Sequence, residues 1–99
     1  WLVTRPAQCM LGGMRALPDD GWSAQADGSG KVPLAGEWRR LGVVRHGFTH
    51  AQLTLEVRAL ETLSQPRGEG RWWPVKRIGE AGLATLFAKA ARLAIAAEG

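Results

Sequence analysis

Ninety-nine residues with 45% hydrophobic content make one domain with a real but small core, which buries about two-thirds of its unfolded surface. One cysteine, Cys9, excludes an internal disulfide and a thiolate-held zinc or iron–sulfur site, and no apolar run approaches the roughly 18 residues that cross a bilayer. The net charge of +4 and the pI of about 10.2 favour polyanionic partners, nucleic acid first, although the cations are dispersed and a basic soluble surface accounts for the charge equally well.

The chain opens on WLVTRP, without methionine, as a strand already under way. That start suggests a piece of a longer polypeptide, and a soluble intracellular setting is expected. Pro6 breaks the first strand. The Gly12–Gly13 pair inside MLGGMRAL points to a bulge or a close backbone approach, and PDDGW is turn chemistry. Residues 24–36, rich in glycine and polar side chains, read as a long surface loop. WRRLGVVRH is a strand of mixed facing. AQLTLEVRAL alternates cleanly, with Leu53, Leu55 and Val57 on one side and Thr54, Glu56 and Arg58 on the other. Only GFTH separates the two, so an antiparallel hairpin is expected with Phe48, Thr49 and His50 near its tip. SQPRGEG is a second loop, and RWWPV a short strand that Pro74 confines to an edge or an end. From Ala84 the period lengthens. Leu83, Leu86, Phe87, Ala90, Leu93, Ala94 and Ala97 recur at helical steps with Lys89 and Arg92 on the polar side, and Gly99 is a plausible stop. Strands followed by a packed helix give an α+β domain.

The chain's two histidines, His46 and His50, are four apart, but in strand and turn rather than on a helix. No carboxylate or thiol lies near enough in sequence to complete a site, so no metal is expected. Ser23, Ser29 and Ser64 lack a nucleophile motif, Cys9 has no neighbouring base, and Asp19–Asp20 read as a solvated turn. Phosphate-cradling glycine motifs are absent. What remains is the hairpin tip, and at this level two readings of it stay open. Either Phe48 is a core residue, Thr49 a turn residue and His50 a solvated surface group, or the tip is a recognition element held out to a partner.

Three segments in order, RPAQCMLGGMRALPDDGW, GVVRHGFTHAQLTLEV and WWPVKRIGEAGLATLFAKAARLA, resemble the C-terminal domain of A/G-specific adenine DNA glycosylases, the MutY family. The likeness spans nearly the whole chain except the 24–36 loop. Its pattern is an Arg-Pro segment, Leu-Gly-Gly-Met, a proline and a tryptophan, a His-x-Phe-(Ser/Thr)-His element, and a tryptophan-led strand before a helix. It implies a Nudix-like α+β fold similar to 8-oxo-dGTP hydrolases, with a mixed or antiparallel sheet and a C-terminal packed helix. Residues 1–99 would form the 8-oxoguanine-recognition domain of a longer glycosylase that removes adenine mispaired with 8-oxoguanine in base-excision repair. The catalytic carboxylates and a [4Fe–4S] cluster would belong to a separate N-terminal domain, leaving no cofactor and no catalytic residue here. The implied partners are double-stranded DNA containing 8-oxoguanine:adenine mispairs and that N-terminal domain, with no membrane, in the bacterial cytoplasm at the nucleoid.

Carried over residue by residue, the family's reading loop falls on Phe48, Thr49 and His50, with His46 and Arg45 beside it. Threonine replaces the commoner serine at 49, Ala84 replaces the proline before the helix threonine, and Arg15, Ala16 and Leu17 replace a bulky-acidic-Phe triplet. The chemistry suits the lesion: guanine N7 is an acceptor, whereas 8-oxoguanine carries a hydrogen on N7 and a carbonyl at C8. A hydroxyl accepts and donates at once, so Thr49 would meet both groups. The same resemblance raises a Nudix-type nucleotide hydrolase as an alternative, but the Arg-Glu-x-x-Glu-Glu helix that holds Mg²⁺ in those enzymes is missing after Gly12–Gly13. A protein-interaction module is the third reading.

Overall fold

Period-two alternation builds the centre of the molecule. In the computed structural model, which describes residues 1–6, 11–20, 22, 28–49, 51–66 and 68–98, β3 (Arg39–Phe48) pairs antiparallel with β4 (Ala51–Ala59). Along β4 the exposed residues Gln52, Thr54, Glu56 and Arg58 alternate with Leu53 and Leu55, half-buried, and Val57, buried, as the sequence pattern requires. The ladder closes at the pair Phe48–Ala51, leaving a two-residue connection. Its second residue, His50, lies outside the described residues, as do Cys9, Ser23 and Gly99.

The register shifts between Arg40 and Gly42, and Gly42 there has a φ of 156° with Leu93 so close that a Cβ would stand 3.2 Å from its Cδ1. A bulge at a glycine bends the ribbon and allows this approach. The contact is made by α1 (Thr85–Glu98), whose first turn is closed by the Ala88 N–H donating to the Ala84 carbonyl at 2.8 Å. Leu86, Phe87, Ala90 and Ala91 are buried and Leu93 and Ala94 half-buried. Ala97, expected in the core, is exposed, while Ala91 is buried. Val44, Val57, Ala16, Trp22, Leu86, Phe87 and Ala90 form one apolar cluster.

The expected sheet is resolved into two small ones. β1 (Val3–Thr4) pairs antiparallel with β2 (Arg15–Ala16), separately from β3–β4. Single bridges tie this second pair into the chain: Leu2 to Arg71, and Arg15, in parallel, to Leu83. The turn into β2 uses positive φ at Leu11 (59°) and Gly13 (75°), which accounts for glycine at 13. RWWPV does not continue as a strand beyond the Arg71 bridge. Pro74, at φ −63°, instead precedes a 3₁₀ helix, Val75–Glu80. Proline has no N–H to add to a ladder and a φ already suited to a helix start, and the Trp73 indole N–H ties back to the helix by donating to the Arg77 carbonyl at 2.7 Å.

The core also holds a charge. Arg5 is buried, with its guanidinium 4.4 Å from the Trp22 ring centroid and 5.8 Å from that of Phe87. Its Nη1 is ion-paired with Asp19, and Nη2 donates to the Trp22 carbonyl at 3.5 Å. Asp19, read in the sequence as part of a solvated turn, is thus tied to Arg5 and Trp22 in one unit.

Candidate functional site

The hairpin tip is positioned by pleat and helix together. Side chains two apart share a face of a strand, so Val44, His46 and Phe48 look toward α1 while Val43, Arg45 and Gly47 look away, and the burial alternates to match. β3 runs antiparallel to α1, with Gly42 against Leu93 and His46 against Lys89. The tip therefore lies at the N-terminal end of the helix.

Thr49 is exposed in the turn. The favoured two-residue hairpin turns need positive φ at their first position and are dominated by Gly, Asn and Asp. Thr49 is β-branched, and among the described non-glycine residues only Leu11 has positive φ. At its first position the turn thus departs from the residue type and backbone angle that hairpin turns favour.

Phe48 is half-buried. It packs on the edge of the apolar cluster and meets His46 edge-to-face, with centroids 4.9 Å apart. His46 Nδ1 lies 3.2 Å from Lys89 Nζ. An ammonium only donates, so Nδ1 is the acceptor and the neutral ring carries its hydrogen on Nε2. Lys89 reads in the sequence only as a member of the helix's polar face, because the contact spans 43 positions and no local pattern announces it. Of the sequence-predicted site residues, His46, Phe48 and Thr49 come together. Arg45 stands on the opposite face of the ribbon, exposed and across from Thr54. His50 is outside the described residues.

That outer face carries a small ionic network. Arg40 and Arg58 are directly opposite in register, an unfavourable pairing for like charges. Glu56 bridges them, at 2.6 Å from Arg58 Nε and 3.6 Å from Arg40 Nε. The hydrogen bond from Arg58, and then the two positive charges, hold the Glu56 carboxyl below its ordinary value of 4.5.

A groove of about 1000 Å³ runs along β4 from Gln52 to Leu60, with Trp22, Phe87 and Ala90 in its lining. Asp19, Asp20 and Glu56 line it, and each is engaged. Asp19 pairs with Arg5, Asp20 Oδ2 accepts from the Gly30 N–H at 2.8 Å, and Glu56 holds its arginines. Among the described residues no group of three or more His, Cys, Asp or Glu is placed to hold a metal ion.

A family model described as a NUDIX domain matches residues 1–93. The chain belongs to the NUDIX domain family. No curated protein and no solved structure matches it. As a NUDIX domain it combines small antiparallel sheets with a C-terminal helix, and none of its described helices is long and apolar enough to cross a membrane. The Arg-Glu-x-x-Glu-Glu pattern that a nucleotide-hydrolysing NUDIX domain uses to hold Mg²⁺ is absent from the sequence after Gly12–Gly13. The described part of that stretch instead forms a turn, β2 and irregular chain.

Proposed function

We propose that this NUDIX domain is a lesion reader, the 8-oxoguanine-recognition domain of an adenine DNA glycosylase of the MutY type, and that it is itself non-catalytic. The observation that carries the reading is the Thr49 hydroxyl, exposed at the apex of a ribbon whose turn sequence is poor for turning. An oxidised guanine presents N7–H and O8 side by side, and a single hydroxyl accepts from the first while donating to the second. Undamaged guanine offers neither. Phe48 and His46 brace the apex from the helix side, and the exposed part of the Phe48 ring flanks the base. His46 Nε2–H is a donor toward a base or phosphate oxygen, and Arg45 supplies positive charge on the ribbon's other face. His50 completes the motif.

The test is Thr49→Ala beside Thr49→Ser in the full-length protein, with affinity measured for duplexes containing 8-oxoguanine:adenine and guanine:adenine. Removing the hydroxyl is expected to cost about 1–3 kcal/mol of discrimination, and serine to restore it. Undiminished discrimination by Thr49→Ala would rule out the role given to that hydroxyl. The groove beside β4 favours one other reading, a nucleotide hydrolase. Turnover of 8-oxo-dGTP in the presence of Mg²⁺ would establish it, against the engagement of each carboxylate that lines the groove among the described residues.

A further inference from the structure

A second cationic cluster lies off the hairpin, gathered around Trp73. The Arg15 guanidinium carbon is 5.0 Å from the Trp73 ring centroid and that of Arg71 is 5.5 Å away. The indole N–H is fixed to the Arg77 carbonyl at 2.7 Å, so the ring is locked against the 3₁₀ helix that also carries the exposed Lys76. Trp72 is 52% exposed and meets Trp1 edge-to-face at 5.1 Å. Arg77 is committed to Glu80 at 2.8 Å, and Glu69 is exposed two positions before Arg71. The ion pairs among the described residues include no carboxylate partner for Arg15 or Arg71.

This arrangement differs from that of Arg5, which is buried, ion-paired with Asp19 and packed into the core. A guanidinium held over an indole by cation–π attraction still has N–H donors to offer, and their fork geometry can take phosphate oxygens two at a time. Stacking also removes rotamer freedom before binding, so less is lost on contact. Both guanidiniums lean on one ring, which places them within the span of a few successive phosphates of one strand.

The cluster shares an end of the molecule with the hairpin tip. Arg15 bridges to Leu83, just before α1 begins, and the tip lies along the same first turns of α1. We propose that Arg15, Arg71 and Lys76, organised on Trp73, form a phosphate grip that holds the sugar–phosphate backbone of the duplex whose base the tip reads. The identity of that duplex rests on the lesion-reading proposal; the grip itself is independent of sequence and of damage.

The experiment measures binding of the full-length protein to an 8-oxoguanine:adenine duplex and to its undamaged counterpart across a salt series. Each lost phosphate contact lowers the slope of log K against log salt by about 0.9. Arg15→Gln with Arg71→Gln is expected to lower it by about 2, with the ratio of affinities for damaged and undamaged DNA unchanged. Because Arg15 is half-buried, a second pair, Arg71→Gln with Lys76→Gln, tests the same point on exposed side chains alone. Arg71→Lys should retain most of the slope. Unchanged slopes in the folded second pair would overturn the grip. A reduced slope in a protein whose wild type binds both duplexes equally would uphold the grip and overturn the lesion-reading instead.

Discussion

Arg5 offers the sharpest check on how the fold is held. Its side chain is 5% exposed and that of its partner Asp19 20%. Removing one member of a buried ion pair costs about 3–5 kcal/mol, because the other charge stays in a medium that solvates it poorly. Asp19's residual exposure pulls the figure toward the lower end, while loss of the stack on Trp22, worth about 2 kcal/mol when desolvated, pulls it back up. The two overlap, so Arg5→Met, which keeps an unbranched apolar stem against Trp22 and Phe87, should cost about 3 kcal/mol. A chain of this length is stable by about 5–15 kcal/mol, so the variant stays folded but with much of its margin gone.

The informative comparison is the double change. If the cost of the single variant is that of stranding a carboxylate, Arg5→Met with Asp19→Leu should be more stable than Arg5→Met alone, because no charge is left facing the apolar cluster. Urea unfolding followed by tryptophan fluorescence reads this directly, since Trp22 is stacked on the altered site, and a constant m-value certifies that the midpoints compare like with like. Additive losses, with the double variant worse than either single, would refute the reasoning and reassign the pair's contribution to packing.

Three further outcomes test other parts of the structure. Gly42→Ala puts a Cβ 3.2 Å from Leu93 at a backbone angle that L-residues resist, and should cost about 1–2 kcal/mol in the same unfolding assay. Glu56's folded pKa lies below its ordinary value, so its stabilising effect is complete above about pH 4.5 and is lost as pH falls through the folded pKa. The wild-type melting temperature should drop over that acidic range, and Glu56→Gln, which leaves Arg40 and Arg58 facing each other, should start lower and flatten the drop. Lys89→Met should release His46 from the Nε2–H tautomer, visible in its ¹⁵N imidazole shifts, while Lys89→Arg keeps it; a tautomer indifferent to position 89 would remove Lys89 from the tip.

How much of this was legible in the sequence depended on how local the determining contact is. The β3–β4 ribbon follows from alternation within ten residues, and α1 from apolar recurrence at three and four. Neither needs a distant partner to be seen. The 3₁₀ helix was hidden because aromatic residues and a valine around Pro74 have strand character, and only the indole-to-carbonyl bond from Trp73 to Arg77 shows how the proline is used. Arg5 reads as one more surface cation until Trp22 and Asp19 fold onto it. The dispersal of cations along the sequence likewise hid one cluster, since Arg15 and Arg71 are 56 positions apart in number and meet on one ring.

An isolated two-stranded hairpin is marginal in water, so a ribbon cannot by itself present a hydroxyl at a fixed point. Here its inner face is pinned at intervals along α1, by Leu93 at Gly42, by the apolar cluster that joins Val44 to Ala90, and by Lys89 at His46. Phe48 is the last anchored residue and Thr49 the next. Thr49 therefore follows directly on the last contact that β3 makes with the core, and its position is inherited from the helix. A change that slides α1 along β3 should disturb whatever Thr49 touches as surely as a change at Thr49 itself. A substitution that removes the charge of Arg45, on the outer face, should leave the apex geometry intact and alter only charge.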